Sequence, residues 1–425
     1  MSNKNKVKKL REKHISSSFS LSYKEPLYIV RGEGQYLYDD QGKKYLDAIN
    51  NIQHVGHSHP KVLEAATKQL KKLNTNTRYL NDVVVKYAKE LTKKLPGKLD
   101  ICYFTNSGSE SNDLALRLAH HYTKSTETIV FDGAYHGHLI SLIDISPYKF
   151  NGPGGNGAGN NVHVAPTPDT FRGKFRNKNA SILYEKEIKK IILNIKNNDK
   201  KISALFSESI MGCGGQIIPP KNFLKNAYNL IRINGGLCIA DEVQIGFGRM
   251  GTHFWGFETQ QIVPDIITLG KSMGNGHPIS ALVTTKEIAN KFDNGMEYFN
   301  SFGGNPVSCA IGHAVLNIID EEGLQSNALR VGTLLKKLLT EMKNVHSIIG
   351  DVRGMGLFLG IELVKELRPL AKTADLVVNK MKDKGVLLST DGPDHNVIKI
   401  KPPMVFNEQN AYFLVENLDS VLSNI

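Results

Sequence analysis

The chain has 425 residues, of which 40% are hydrophobic and 22% are charged. This composition is ordinary for a globular protein, and the length is about two to three times that of one typical domain, which excludes collagen, a disordered tail and a small disulfide scaffold. No apolar run approaches the roughly 18 residues that span a bilayer, so we expect no membrane association.

The formal net charge of +12 comes from two segments. Residues 1–26 hold seven Lys or Arg against two Glu, and residues 172–201 hold ten against three acidic residues. A basic surface can bind nucleic acid or anionic lipid, but no aromatic ladder or nucleic-acid module accompanies these lysines. We therefore interpret both segments as solvated edges and expect no nucleic-acid partner.

The cysteines indicate a reducing compartment. They are far apart and form no CxxC pair, which is typical of a reduced intracellular protein: Cys102, Cys213, Cys238 and Cys309. The first 24 residues are basic and contain several serines, a weak likeness to an organellar transit peptide. The cytoplasm is the predicted location, with the mitochondrion as its alternative.

Helical and strand patterns alternate along the chain. Apolar residues recur at helical spacing over 63–73 and 324–342. Five short apolar runs each end in a polar or glycine-rich turn and are predicted strands: 101–104, 129–131, 204–206, 237–240 and 266–269. This alternation predicts an α/β fold with a mostly parallel sheet. Since ligands of such sheets bind outside the carboxyl ends of the strands, one shared site is expected at that edge.

Two further segments bear on domain organisation. Residues 151–161 have the composition of a flexible loop, and the Lys- and Asn-rich residues 172–201 predict an exposed insertion or helix. The helix over 324–342 leads into an alternating C-terminal portion, which predicts a small-domain boundary near 325–330.

Three motif matches fail. The GxGxxG match at 152–157 contains Pro and Asn and precedes no helical pattern, and the GKS at 270–272 lacks the earlier glycine of a phosphate-binding loop. Histidines cluster at 54–59 and 136–138 but lack a second ligand set, so we expect structural or cofactor contacts there and no metal.

Three other features fit one chemistry. The loop 105–110 lies between a strand and a helix, where free amides favour a phosphate. A plain helix cap is an equally good interpretation of this loop. Asp241 ends an apolar strand and needs a partner, either a protonated ring nitrogen or a structural cation. Lys271 ends another strand, where a desolvated amine can form a Schiff base, although most lysines are surface residues. Together these are what pyridoxal phosphate requires.

The run Ala240–Arg249, followed by Lys271, resembles the signature of the class III aminotransferases, of the fold type I group of pyridoxal-phosphate enzymes. The resemblance extends from about Leu27 to Phe406. It implies a large cofactor-binding domain with a mostly parallel sheet and a smaller α+β C-terminal domain. The implied division is an N-terminal segment packing with the small domain (1–55), the large domain (56–328) and the small domain (329–425).

Within the group, several stretches resemble phospho-lyases acting on phosphoethanolamine or 5-phosphohydroxylysine more than ω-aminotransferases: 102–119, 134–150, 162–176, 295–310 and 397–406. The implied reaction is elimination of phosphate and ammonia, giving acetaldehyde or 2-aminoadipate semialdehyde. The alternative is a class III aminotransferase, of the alanine–glyoxylate or another ω-amine type.

The resemblance also implies roles for single residues. Lys271 would form the Schiff base with the cofactor and later move the proton, while Asp241 would pair with the ring nitrogen. The remaining cofactor contacts would come from Ser107, Gly108, Ser109, Tyr135, Glu208 and Gln244. Ser301 stands where the family has a threonine that reaches the cofactor phosphate from the other subunit, which implies a homodimer, alone or paired into a tetramer.

A phosphorylated substrate needs cations, and three are candidates. Arg78 and Lys401 are candidates for the phosphate, and each could instead pair with a nearby carboxylate. Arg353 matches the family arginine that commonly binds a substrate carboxylate. Phosphohydroxylysine has such a carboxylate, whereas phosphoethanolamine has none.

Overall fold

The computed structural model describes residues 3–425; residues 1 and 2 of the predicted N-terminal segment lie outside this range. Its α-helices are α1 (Asn3–His14), α2 (Pro60–Lys72), α3 (Asp82–Lys93), α4 (Gly108–Thr123), α5 (Ile140–Ile143), α6 (Pro147–Phe150), α7 (Ala180–Asn197), α8 (Phe223–Ile233), α9 (Lys286–Phe292), α10 (Pro306–Glu321), α11 (Leu324–Met342), α12 (Ala371–Asp383) and α13 (Glu408–Leu422). Short 3₁₀ helices cover Gly256–Gln260 and Lys271–Gly274.

The strands are β1 (Ile29–Glu33), β2 (Tyr36–Asp39), β3 (Lys44–Asp47), β4 (Ile101–Thr105), β5 (Glu127–Phe131), β6 (Val162–Ala165), β7 (Ile202–Glu208), β8 (Leu237–Asp241), β9 (Ile266–Leu269), β10 (Ser280–Thr284), β11 (Ile349–Met355), β12 (Phe358–Lys365), β13 (Arg368–Pro369), β14 (Val386–Leu387), β15 (Ser389–Asp391) and β16 (Val397–Ile400).

A seven-stranded sheet in the order β4-β10-β9-β8-β7-β5-β6 forms the centre of the fold. The neighbouring strands β9, β8, β7, β5 and β6 pair in parallel. Strand β10 is antiparallel to both of its neighbours, β4 and β9. The five predicted apolar runs are strands of this sheet (β4, β5, β7, β8 and β9), which confirms the mostly parallel α/β prediction. The runs that became β6 and β10 were not predicted.

Side-chain alternation in the central strands divides the core between the two faces of the sheet. Leu205 of β7 and Cys238 of β8 join the large core that includes α7 and α8. Phe206 and Ile239, the next residue in each strand, join a second core that includes α4. Because helices cover both faces, these strands are apolar throughout rather than alternating with polar residues.

Two smaller sheets flank the central one. The antiparallel strands β1–β3 are extended by β14, which pairs in parallel with β3, so the N-terminal strands contact the C-terminal region. Strands β11, β12, β16 and β15 form an antiparallel sheet, to which β13 adds by pairing with β12. The domain division at 55/56 and 328/329 stays a prediction, and α11 crosses the second boundary as one continuous helix.

The helices predicted over 63–73 and 324–342 are confirmed as α2 and α11. The apolar stripe of α11 is largely buried, whereas Leu63 and Leu70 of α2 are exposed. Within the basic segment 172–201, α7 buries one face and leaves its lysines in solvent. No helix in residues 3–425 combines the length and apolarity needed to cross a lipid bilayer.

Candidate active site

The amino end of α4 forms a cradle for an anion. Ser107 caps the helix, and its hydroxyl accepts a hydrogen bond of 3.2 Å from the Glu110 amide. Gly108 and Ser109 line the cavity, and amides at these first positions have no partner within the helix. A Cβ at Gly108 would lie 2.8 Å from Val243 Cγ1, so glycine lets the two loops approach. The free amides and the helix dipole favour a phosphate here.

Asp241 ends β8, where three donors fix its buried carboxylate. Oδ2 accepts from Asn112 Nδ2 and from His136 Nδ1, both at 2.9 Å. Oδ1 accepts from the Val243 amide at 3.1 Å. The carboxylate still lines the cavity, which leaves it able to bind a protonated nitrogen there.

Glu208 ends the neighbouring strand β7 and lies in register with Asp241. Its Oε2 accepts a hydrogen bond of 2.7 Å from the Gly212 amide, and its Oε1 accepts from the Tyr135 amide at 3.4 Å. Burial raises the pKa of Glu208 to about 7, and the nearby Asp241 charge adds to the rise. The cavity therefore contains a carboxyl group that titrates near neutral pH.

The Glu208→Gln variant tests this titration in the cofactor-free protein. The pKa of Glu208 is about 7 in the folded protein, above its ordinary value of 4.5, so its bound proton stabilises the folded state. This stabilisation is fully present below pH 4.5 and is lost as the pH rises through 7. Between pH 5 and pH 8, wild type should lose about 2–3 kcal/mol of unfolding free energy relative to the variant. Urea denaturation measures this difference, and exposed Glu64→Gln is the control. Equal pH slopes in wild type and Glu208→Gln would contradict it.

Lys271 follows β9 and begins a 3₁₀ helix, and its side chain lines the cavity. Thr268 of β9 lies in register with Asp241, which brings the two strand ends together. The backbone at Lys271 has φ +24°, a conformation that costs a non-glycine residue about 1–3 kcal/mol. Across residues 3–425 its amine has no hydrogen-bond or ion-pair partner, so it is available for covalent chemistry.

Gln244 and Lys401 form a layer behind the cavity. Gln244 lines the cavity, and its Oε1 accepts from Lys401 Nζ at 3.3 Å. Lys401 is buried and also donates to Asp391 Oδ2 at 2.8 Å. The structure therefore places Lys401 beside Gln244 and paired with a carboxylate, outside the cavity lining.

The other two predicted substrate cations are also paired with carboxylates. Arg353 Nη1 donates to Glu362 Oε2 at 2.5 Å, and its Nε donates to the Gly215 carbonyl at 2.7 Å. Arg78 Nη2 donates to both oxygens of Glu297 at 3.0 Å on the protein surface. Neither arginine lines the cavity of this chain.

Ser301 lies on an exposed loop between Phe299 and Phe302, away from the cavity lining. The same surface carries Arg78, whose guanidinium lies 4.2 Å from the Phe299 ring centroid. The structure thus separates Ser301 and Arg78 from the predicted residues that it brings together: Ser107, Gly108, Ser109, Tyr135, Glu208, Asp241, Gln244 and Lys271.

Two polar residues that line the cavity were not among the predicted site residues: Asn112 and His136. Asn112 lies one turn beyond Ser109 on α4, a spacing that puts both on one helix face. His136 follows Tyr135, and its ring lies 4.5 Å from that of Phe206. Asn112 Oδ1 and His136 Nε2 are buried without a hydrogen-bond partner among the described residues. Polar atoms of this kind call for a bound group or water.

The histidines that cluster in the sequence separate in the structure. His54 Nδ1 accepts a hydrogen bond from Arg249 Nη2 at 3.2 Å, His57 contacts Asp47 at 2.7 Å, and His59 contacts Glu322 at 3.0 Å. Within residues 3–425, no group of three His, Cys, Asp or Glu side chains is arranged to hold a metal ion.

Comparison with known proteins identifies the family. The family described as Aminotransferase class-III matches residues 19–422. The chain is 51% identical to an alanine–glyoxylate aminotransferase 2-like protein of Drosophila melanogaster, over 95% of this chain and 84% of that protein. It is 42% identical to an ethanolamine-phosphate phospho-lyase homolog 1 of Caenorhabditis elegans, over 99% of this chain and 94% of that protein.

A solved structure gives a similar result. A phospholyase from Arthrobacter in complex with phosphoethanolamine has a TM-score of 0.94 and 36% sequence identity to this chain. The match covers 99% of this chain and all of that one.

Pyridoxal phosphate is the cofactor of this family and fits the residues present. The α4 amides suit its phosphate, Asp241 suits a protonated ring nitrogen, and the amine of Lys271 suits its aldehyde. The orphaned atoms of Asn112 and His136 mark a polar cavity that a bound group can complete. The chain belongs to the class III aminotransferase family of pyridoxal-phosphate enzymes.

Proposed function

We propose that this protein is a phospho-lyase that removes phosphate and ammonia from an amine with phosphate on the adjacent carbon. The observation that carries the proposal is the fit of 99% of the chain, at a TM-score of 0.94, to the phosphoethanolamine-bound phospholyase. The 42% identity to a phospho-lyase homolog supports the same reaction. For phosphoethanolamine the balance is one substrate and one water giving one acetaldehyde, one ammonia and one phosphate.

When bound, pyridoxal phosphate supplies an electron sink for negative charge at the amine-bearing carbon. Lys271 Nζ would hold the cofactor until the substrate amine takes its place, and the freed amine would then accept the proton from that carbon. The carbon–oxygen bond would break next, and phosphate would depart with the bonding electron pair. Asp241, fixed by Asn112 and His136, would stabilise a protonated ring nitrogen.

The Gly137→Ala variant tests the cofactor cradle. Gly137 has φ +141°, and a Cβ there would lie 2.7 Å from Ser109 Oγ and 2.5 Å from Leu142 Cδ1. We expect cofactor affinity to fall about ten-fold and the unfolding free energy to fall by about 1–3 kcal/mol. Cofactor titration and denaturation measure both effects. Gly154→Ala is the control, since φ is +79° there but nothing lies within 4 Å; equal losses in the two variants would contradict the prediction.

The pairing of Arg353 favours phosphoethanolamine over 5-phosphohydroxylysine. A free arginine would suit the carboxylate that only the second compound has. Here Glu362 and Asp351 lie 2.5 Å and 3.2 Å from Arg353 Nη1, and Glu362 also pairs with Arg172, so these two carboxylates balance the charge of the two arginines. The balanced charges around Arg353 therefore suit a substrate without a carboxylate.

An aminotransferase is the second candidate function. The 51% identity to the alanine–glyoxylate aminotransferase 2-like protein favours it. The same lysine and carboxylate would serve amino transfer, in which the amino group passes to a second substrate and no carbon–oxygen bond breaks.

We also propose that the enzyme is a homodimer with shared sites. Leu80 is fully exposed, and Tyr79, Met296 and Phe302 are more than two-thirds exposed on the surface that carries Ser301. An apolar surface of this kind indicates a protein interface. Sedimentation should give about twice the 47.1 kDa chain mass for a dimer, and a monomer at micromolar concentration would contradict the proposal. A tetramer of two dimers and the cytoplasmic location stay predictions.

Incubation of the cofactor-loaded protein with phosphoethanolamine and, separately, with 5-phosphohydroxylysine tests the function. We expect equal amounts of inorganic phosphate and ammonia, with phosphoethanolamine the better substrate. No release from either compound would overturn the lyase assignment.

A further inference from the structure

The side-chain amide of Gln244 is held in one orientation. Its Oε1 accepts from Lys401 Nζ at 3.3 Å and from Asn51 Nδ2 at 3.4 Å, and its Nε2 donates to Cys213 Sγ at 3.6 Å. The Asn51 amide can present either an oxygen or a nitrogen, whereas an ammonium group only donates. Lys401 therefore requires the oxygen of Gln244 to face it and leaves the N–H groups on the other side.

The Nε2 atom of Gln244 lies on the side of Glu208. A Cβ at Gly212 would lie 2.7 Å from Gln244 Nε2 and 3.1 Å from Glu208 Oε2. Both side chains line the cofactor cavity, and the sulfur of Cys213 is only a weak acceptor for the two N–H groups. Gln244 thus offers a hydrogen-bond donor to a bound group, and not an acceptor.

The ammonium group of Lys401 is itself fixed and charged. It is buried, donates to Asp391 Oδ2 at 2.8 Å and lies 4.5 Å from the Phe358 ring centroid. Asp391 also accepts from Gln216 Nε2 at 2.8 Å and from Lys399 Nζ at 3.0 Å. One carboxylate between two ammonium groups leaves a net positive charge beside Gln244. This charge polarises the Gln244 amide and makes its N–H groups stronger donors.

We propose that Lys401 is a positioning residue, which fixes the Gln244 amide so that its N–H donates to the ring hydroxyl oxygen of pyridoxal phosphate. Once the aldehyde has reacted with Lys271, the cofactor has oxygen only in its phosphate and its ring hydroxyl. The α4 amides suit the phosphate and Asp241 suits the ring nitrogen, so the ring hydroxyl is the acceptor that remains. An N–H donor there favours the charged form of this oxygen.

This role differs from the substrate contact predicted for Lys401. It concerns the cofactor alone, so it holds whether the reaction is elimination of phosphate or amino transfer. A lysine that is buried, paired with Asp391 and outside the cavity lining acts on the reaction only through the side chain it touches, which is Gln244.

Titration of the cofactor-free full chain with pyridoxal phosphate, and with its analogue that lacks the ring hydroxyl, tests the inference. Lys401→Met removes the ammonium group and keeps a side chain of similar length. Its dissociation constant for pyridoxal phosphate should rise at least about five-fold, while that for the analogue changes less than about two-fold. More of the bound cofactor should have an uncharged ring hydroxyl, which absorbs at shorter wavelength than the charged form.

The matched control is Lys399→Met, which takes the other ammonium group from Asp391 without touching Gln244. Both dissociation constants should change less than about two-fold in this variant. A double-mutant cycle separates a positioning role from a general loss of structure. In the Gln244→Ala background, Lys401→Met should cause no further loss of affinity for pyridoxal phosphate. If Lys401→Met does not fold, Lys401→Gln takes its place, because its amide can still bind Asp391 but no longer dictates which atom of Gln244 faces it.

Equal losses of affinity for the two ligands, or no loss for either, would overturn the inference. So would a loss of the same size in Lys399→Met, or an undiminished effect of Lys401→Met in the Gln244→Ala background. Phosphate release enters none of these measurements, so failure of the phospho-lyase assignment would leave the role of Lys401 standing.

Discussion

Replacing Lys271 with alanine is expected to reduce phosphate release from phosphoethanolamine by about 10⁴-fold or more. The variant removes the cavity amine that holds the cofactor and takes the proton, and each role alone is worth several orders of magnitude. The visible absorbance of the Schiff base should disappear as well. The free energy of unfolding should change little, because alanine keeps the Cβ and because the Lys271 amine that is removed has no partner across residues 3–425.

Two controls separate chemistry from binding. Lys271→Arg keeps the positive charge but cannot form the covalent link, so it should be as inactive as Lys271→Ala. Both variants should still bind pyridoxal phosphate through the α4 amides at Gly108 and Ser109. Turnover of Lys271→Ala at more than about one hundredth of the wild-type rate would contradict the assigned role.

Replacing Asp241 with asparagine is expected to lower kcat about 10³-fold while the cofactor remains bound. Asparagine has nearly the same shape but no charge, so it cannot keep the ring nitrogen protonated. Because an amide nitrogen cannot accept a hydrogen bond, asparagine would also lose either the Asn112 and His136 bonds to Oδ2 or the Val243 bond to Oδ1, depending on its orientation. Steady-state kinetics and the absorbance spectrum of the bound cofactor measure the two consequences.

The control is Asp265→Asn, at the opposite end of the sheet. Asp265 pairs with Arg232 at 3.0 Å and accepts from the Cys238 amide at 2.8 Å, so its loss should lower stability without a comparable loss of kcat. A drop in kcat of similar size in both variants would show that Asp241 acts through folding rather than chemistry.

The strand ends made the centre of the site predictable. Glu208, Asp241 and Lys271 follow apolar runs, and the carboxyl ends of neighbouring parallel strands must meet at one edge. The role of each residue came from resemblance to a family, because a strand end alone does not distinguish a salt bridge from a cofactor contact.

Other features depend on surfaces that a sequence pattern does not describe. Asn112 and His136 look like ordinary helix and loop residues until the fold brings both to Asp241. The stripe of Leu63 and Leu70 predicted α2 correctly, but amphipathicity does not tell whether the covering surface belongs to the same chain. The role proposed for Ser301 also depends on a surface outside the chain, since it requires a second copy of the protein.

A partition measurement tests the phospho-lyase assignment most directly. Cofactor-loaded protein is given phosphoethanolamine together with glyoxylate or pyruvate, and phosphate, ammonia and the new amino acid are all quantified. We predict equal amounts of phosphate and ammonia, with no glycine or alanine above background. Glycine or alanine formed without phosphate would contradict it and make the protein an aminotransferase.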